Sequence, residues 1–149
     1  MHAALALSLV TLGLSGCGGG DDGEAGASWD GPPAPAANGI VDVEGFNDFL
    51  SEVDETWERS PALAAGEFLR LDTRTAASTS IEADSGPEGT GPYAVTVTLD
   101  GVPDDSIRSE RWELSFEPEE GAYRLTQARW AQRCREGRGH TDFSAESCV

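Results

Sequence analysis

A chain of 149 residues leaves room for one ordinary domain once any leader and linker are set aside. Its formal net charge of −17 argues against a nucleic-acid partner, whose phosphates need clustered cations. The same excess of acid argues against electrostatic adhesion to anionic lipid headgroups, so contact with a membrane would need a covalent anchor.

Ala3 to Leu14 form an uncharged, mostly apolar run. It is shorter than the roughly 20 residues of a membrane-spanning helix and has the length of a signal-peptide core. It ends in Leu14-Ser15-Gly16-Cys17. This tetrapeptide resembles the lipobox of bacterial lipoprotein precursors: small residues admit the backbone to a peptidase, and a thiol follows to take the lipid. The basic residue usual before such a core is missing, and only His2 stands there. The resemblance implies a signal peptide over residues 1–16 and a diacylglyceryl anchor on Cys17. It also implies an extracytoplasmic address on the outer face of the cell membrane.

Residues 17–39 read as a lipidated, acidic, Gly- and Pro-rich tether without apolar periodicity, and disorder is expected. About 22 flexible residues reach roughly 26 Å. Trp29 is the one large apolar group of this stretch, and docked and solvated positions stay equally open for it.

A single domain is expected over residues 40–149. Phe46, Phe49, Leu50, Val53 and Trp57 share one helical face, with Asp42 as a candidate N-cap. Ser60-Pro61 ends this helix and can start a short second turn. A Thr- and Ser-rich strand is expected over 68–83, then a Gly/Pro loop over 86–92. Tyr93, Val95, Val97 and Leu99 alternate as a half-buried strand, and Trp112, Leu114 and Phe116 as another. Pro118-Glu119-Glu120-Gly121 predicts a hairpin loop with Gly121 at positive φ. On the last strand the apolar positions shift by one between Leu125 and Ala128, which predicts a β-bulge at 126–128. The fold class is therefore α+β, an N-terminal amphipathic helix packed on a four-stranded antiparallel sheet. Trp57, Trp112 and Trp130 are expected to meet in its core. The element order looks like cystatin-like or nuclear-transport-factor-like domains.

With Cys17 assigned to lipid, Cys134 and Cys148 remain, and outside the cytoplasm they read most simply as a disulfide closing the C-terminal loop. The competing reading is a metal site of Cys134, His140 and Cys148, although compact zinc sites show tighter cysteine pairs. The stretch from Trp130 to Ser144 with Cys148 resembles the tail of small secreted proteins and lipoproteins of actinobacteria. That resemblance supports the disulfide and implies no activity.

Residues 101–149 carry seven arginines against ten acids, whereas residues 17–100 carry three against 17. Arg129, Arg133, Arg135, Arg138 and His140 are therefore a candidate anion patch. The alternative is ion pairing with Glu110, Glu113, Glu117 and Glu136. No nucleophile, metalloprotease, phosphate-loop or dinucleotide motif occurs. No catalytic residue, metal or other cofactor is assigned. The function expected is a non-enzymatic, surface-tethered module that binds an envelope protein or a small ligand. A structural, accessory lipoprotein is the alternative. A pocket lined by the three tryptophans would favour a ligand; a filled core would favour a partner on the face of Arg111, Glu113 and Ser115. Cys17→Ala is expected to abolish fatty-acid labelling and leave uncleaved precursor or soluble protein, read by metabolic labelling and intact mass; unchanged labelling would exclude Cys17 as the anchor.

Overall fold

The computed structural model describes residues 27–85 and 91–149. The leader, Cys17, the first part of the tether and most of the 86–92 loop lie outside the described residues. Within them the order is β1 (Ile40–Val41), α1 (Glu44–Glu52), a 3-10 turn (Thr56–Arg59), α2 (Pro61–Phe68), β2 (Ser78–Ser85), β3 (Tyr93–Asp100), β4 (Ile107–Glu119) and β5 (Ala122–Cys134). The strands make one antiparallel five-stranded sheet in the order β1-β5-β4-β3-β2. The α+β class holds, while the four-stranded expectation is corrected. Ile40 and Val41 pair with Arg129 and Ala128 as a short edge strand ahead of the first helix. Two residues are too few to show an alternating pattern, so this strand left no mark in the sequence.

The continuous helix expected through Trp57 is also corrected. Asp42 holds the Glu44 amide at 2.8 Å, and α1 buries Phe46. The helix stops at Glu52, with Val53 extended at φ −112° and ψ 162°. Its C-terminal end carries Glu52 with Asp54 and Glu55 just beyond and no base in the last turn, so the helix dipole opposes further turns. Glu55 and Glu58 then restart the chain as a reciprocal capping box around the 3-10 turn. Trp57 still reaches the apolar side, with ring centroids 6.0 Å from Phe49 and 6.5 Å from Phe46.

Ser60 caps α2 through its hydroxyl, which accepts the Leu63 amide at 3.4 Å, and Pro61 opens the first turn. This helix ends on Phe68, the first residue of the segment expected as a strand. Ala64, Ala65 and Phe68 fall at helical spacing and are buried beside Leu69. The helix ends with Arg70 at φ 49°, where Leu71 N–H reaches Gly66 O at 3.0 Å and Arg70 N–H reaches Glu67 O at 2.9 Å. That is a Schellman closure, and the strand begins only at Ser78.

β4 and β5 form a long hairpin whose loop shrinks to Glu120 and Gly121, at φ 46° and 95°. Positive φ at both positions makes a type I′ turn, whose twist suits the flanking strands. The expected bulge is present: Ser115 pairs with Gln127 and Phe116 with Leu125, leaving Thr126 as the extra residue. Its hydroxyl donates to Ser115 O at 3.0 Å.

Alternation sends Val95, Val97, Trp112, Leu114, Phe116, Leu125 and Ala128 to one face, which is buried with Phe46, Ala64, Ala65 and Phe68. Trp29 docks onto this core. Its ring lies 5.2 Å from Phe46 and 5.9 Å from Phe68, its indole N–H donates to Phe68 O at 2.8 Å, and Arg70 Nη1 donates to Trp29 O at 2.6 Å. The expected meeting of Trp57, Trp112 and Trp130 is formed only in part. Trp112 and Trp130 are cross-strand partners on β4 and β5, and Trp112 also packs on Phe68 at 6.4 Å. Trp57 packs instead on Phe46 and Phe49. Phe46→Ala should cost about 3–5 kcal/mol, more than Trp57→Ala on the half-buried flank, as read by urea midpoints; equal costs would contradict this ordering.

Candidate functional site

The helix-covered face leaves the opposite face to work with. There β4 presents Arg111, Glu113 and Ser115, alternating with the buried Trp112, Leu114 and Phe116. β5 sets Arg129 opposite Glu113, Ala131 opposite Arg111 and Arg133 opposite Ser109.

The C-terminal segment straps one end of this face. Cys134 and Cys148 are joined, with an S–S distance of 2.10 Å and Cα atoms 5.5 Å apart. Gln132 on β5 exchanges both backbone bonds with Ser144 of the loop at 2.8 and 2.9 Å, and its side-chain amide donates to Glu146 O at 2.7 Å. Gln132 is only 4% exposed, so those bonds replace the water that it has lost. Phe143 lies against the sheet, its ring centroid 3.9 Å from the Arg111 guanidinium carbon and 5.1 Å from that of Arg133. Both distances fit cation–π contact. A loop of about 15 residues closed by the disulfide contributes on the order of 3 kcal/mol in the chain-entropy view.

Most of the candidate anion patch serves this strap or its surroundings. Arg133 Nη2 donates to Asp100 at 3.3 Å and to the buried Ser109 hydroxyl at 3.0 Å. The Ser109 hydroxyl, helped by Arg108 and Arg133, holds the Asp100 carboxyl below the usual carboxylate range despite desolvation. Arg135 ties down the carbonyls of Asp104 and Val102 at 2.8 and 3.1 Å. Arg138 donates to Val149 O at 3.4 Å and lies 3.9 Å from Asp105. Arg133, Arg135 and Arg138 are thus anchors, and only Arg129 of the four has a side chain with no hydrogen bond or ion pair among the described residues.

His140 is engaged on both sides. Nδ1 lies 2.7 Å from Asp142 O and Nε2 lies 2.9 Å from Glu146 O. Carbonyl oxygens only accept, so satisfying both contacts requires a proton on each nitrogen, the imidazolium form. The bond to Glu146 O and then that to Asp142 O raise its pKa above the ordinary 6.5. The donor atoms of Cys134, His140 and Cys148 lie within 4.8 Å of one another, as the metal reading requires. In this oxidised state, however, the two sulfurs are bonded to each other and both ring nitrogens face carbonyls.

What sequence reasoning did not select is a cleft between strap and sheet, a cavity of about 260 Å³ lined by Asn38, Arg111, Glu113, Arg129, Ala131, Phe143, Ser144 and Ala145. Arg111 is one of its walls, and the Nε atoms of Arg111 and Arg133 are both buried with no hydrogen-bond partner among the described residues. Glu113 sits directly across the ladder from Arg129, yet the two form no ion pair. The sequence marked Arg129 for an anion patch and Arg111 with Glu113 for an exposed face, but nothing local joined them to Phe143 in one cleft.

No protein-family model matches the chain, and no curated protein or solved structure is significantly similar to it.

The raised His140 pKa has a defined consequence. Its contribution to the strap is fully present below pH 6.5 and is lost as pH rises through the higher folded-state value. Amide exchange at Ser144 and Gln132 should therefore accelerate, beyond the intrinsic base-catalysed increase, as pH rises from 6.5 through the raised folded-state pKa, and His140→Ala should remove that excess; a pH-independent protection factor would refute the imidazolium.

Proposed function

We propose that the protein is a lipid-anchored, non-enzymatic binding module of the cell envelope that engages a partner protein through the open face of its sheet. The anchor in this reading is Cys17, and the acidic residues that follow it space the domain from the membrane. The helix-on-sheet order, similar to cystatin-like or nuclear-transport-factor-like layouts, supports a scaffold with one buried face and one working face. The carrying observation is the separation of those faces. Phe46, Phe68, Phe116 and Leu114 fill the helix side with at most 1% exposure, while Arg111, Glu113 and Arg129 stand together on the other. A filled core favours surface recognition over a ligand held among the tryptophans.

An accessory lipoprotein acting through its tether alone is the second reading, and it needs no working face. The two part in one experiment. Native protein is cross-linked at the membrane, extracted and purified, and its associated proteins are compared among variants. Arg129→Glu on the open face should lose the partner, whereas Leu63→Glu at an exposed helix position should keep it. A partner set unchanged by Arg129→Glu would favour the accessory reading.

A further inference from the structure

We propose that the cleft between the C-terminal strap and the open sheet face is a binding site for a small oxyanion, a carboxylate or phosphate group, held by Arg111 and Arg129. This rests on the open face being the working surface and names the chemistry that it would recognise.

Four observations converge on it. First, the cleft of about 260 Å³ has room for a single anionic group. Second, Arg111 is held in place: Phe143 stacks on its guanidinium at 3.9 Å, and neighbouring Phe143–Arg133 and Ser144–Gln132 contacts fix the ring's segment. Stacking engages the π-face of the guanidinium and leaves its in-plane N–H groups for acceptors. Third, the Arg111 side chain has no hydrogen-bond acceptor or ion-pair partner among the described residues; its Nε is enclosed, so an oxyanion would meet the outer Nη groups at the cleft wall. Fourth, Arg129 has no acceptor among the described residues, although Glu113 is its cross-strand neighbour. The lining holds two guanidinium groups against one carboxylate, so it is locally cationic in a chain of net charge −17. The Asn38 side chain, whose oxygen accepts the Ile40 amide at 3.1 Å, leaves its NH₂ group as a further donor at the rim. The other arginines of this region are fastened to Asp100, Asp104 and Val102, which separates the site from the general basic character of the C-terminal half.

The oxyanion would come from free solute or from a partner's chain terminus, and the test distinguishes these sources. The oxidised domain is titrated in low-salt buffer with inorganic phosphate, with acetate, and with an N-acetylated glycine peptide ending in a free carboxylate or in an amide. The readout is the NMR shift of the Arg111 Nε–H and of the amides of Arg129, Ala131 and Ser144. Saturable shifts confined to this set are expected. Preference for the free-carboxylate peptide over acetate and phosphate assigns a chain terminus, and the reverse order assigns a free anion. Arg129→Gln should weaken binding by about tenfold or more, and Glu113→Gln should strengthen it. Both substitutions lie on the exposed surface, and strap amide protection confirms that the fold is kept. Absence of saturable shifts, or affinities indifferent to both substitutions, would overturn the site. If anions fail to bind while Arg129→Glu still abolishes partner capture, the open-face reading survives and the oxyanion site falls. If anions bind while partner capture is indifferent, the oxyanion site stands and the partner reading falls.

Discussion

The apolar rows of β3, β4 and β5 cannot remain in water, and covering them organises the molecule. Val95 and Val97, Trp112, Leu114 and Phe116, and Leu125 with Ala128 all turn to one side of the sheet. Phe46 from α1 and Phe68 from α2 close over them and contact each other at 5.2 Å. Burial of a large aromatic side chain is a leading source of folding free energy, and these two are fully enclosed. Trp29 adds a third ring from upstream and ties its own backbone to Arg70. Because the covering elements all fall on one side, the other side of the sheet is left for a thinner and more polar cover.

That cover is the C-terminal strap, and it is held by other forces. Its only ring on the sheet is Phe143, and two guanidinium groups rather than apolar side chains receive it. Backbone pairing of Ser144 with Gln132, the carbonyls held by His140, and the disulfide supply the remainder. A polar segment of this kind buries too little apolar area to offset its ordering entropy unaided. The cross-link reduces that entropy cost, and the arginines satisfy carbonyls that would otherwise need water. The arginines of this half of the chain are thus largely structural, and the side chains of Arg111 and Arg129, which have no acceptor among the described residues, meet at the cleft.

Much of the sheet was legible. Alternation from Tyr93 to Leu99 and from Trp112 to Phe116 marks strands because period-two burial is a local property. Gly121 and the phase shift around Thr126 marked the turn and the bulge for the same reason. The helices were less legible. The apolar face from Phe46 to Trp57 is real, but periodicity does not register that acids at the end of α1 break the backbone at Val53. Phe68 and Leu69 read as the start of a strand because the helical partners Ala64 and Ala65 are small and weak in pattern. The edge strand Ile40–Val41 had no local signature, and alternation put Arg111 on the exposed face without joining it to Phe143 or Arg129 in a cleft.

By itself the sequence determined the lipobox-like leader as an expected address, the two cysteines available to pair, and which strand residues face inward. Each depends on residue type and short-range spacing. Tertiary structure alone decided that Trp29 joins the core, that three candidate patch arginines are anchors, and that Arg111 and Arg129 share a cleft with Phe143. Those outcomes depend on strand order and on where the strap lands, which bring together residues separated by up to about a hundred positions. Pairings over such distances are chosen by packing and hydrogen-bond closure across the whole fold, and no window along the chain contains them.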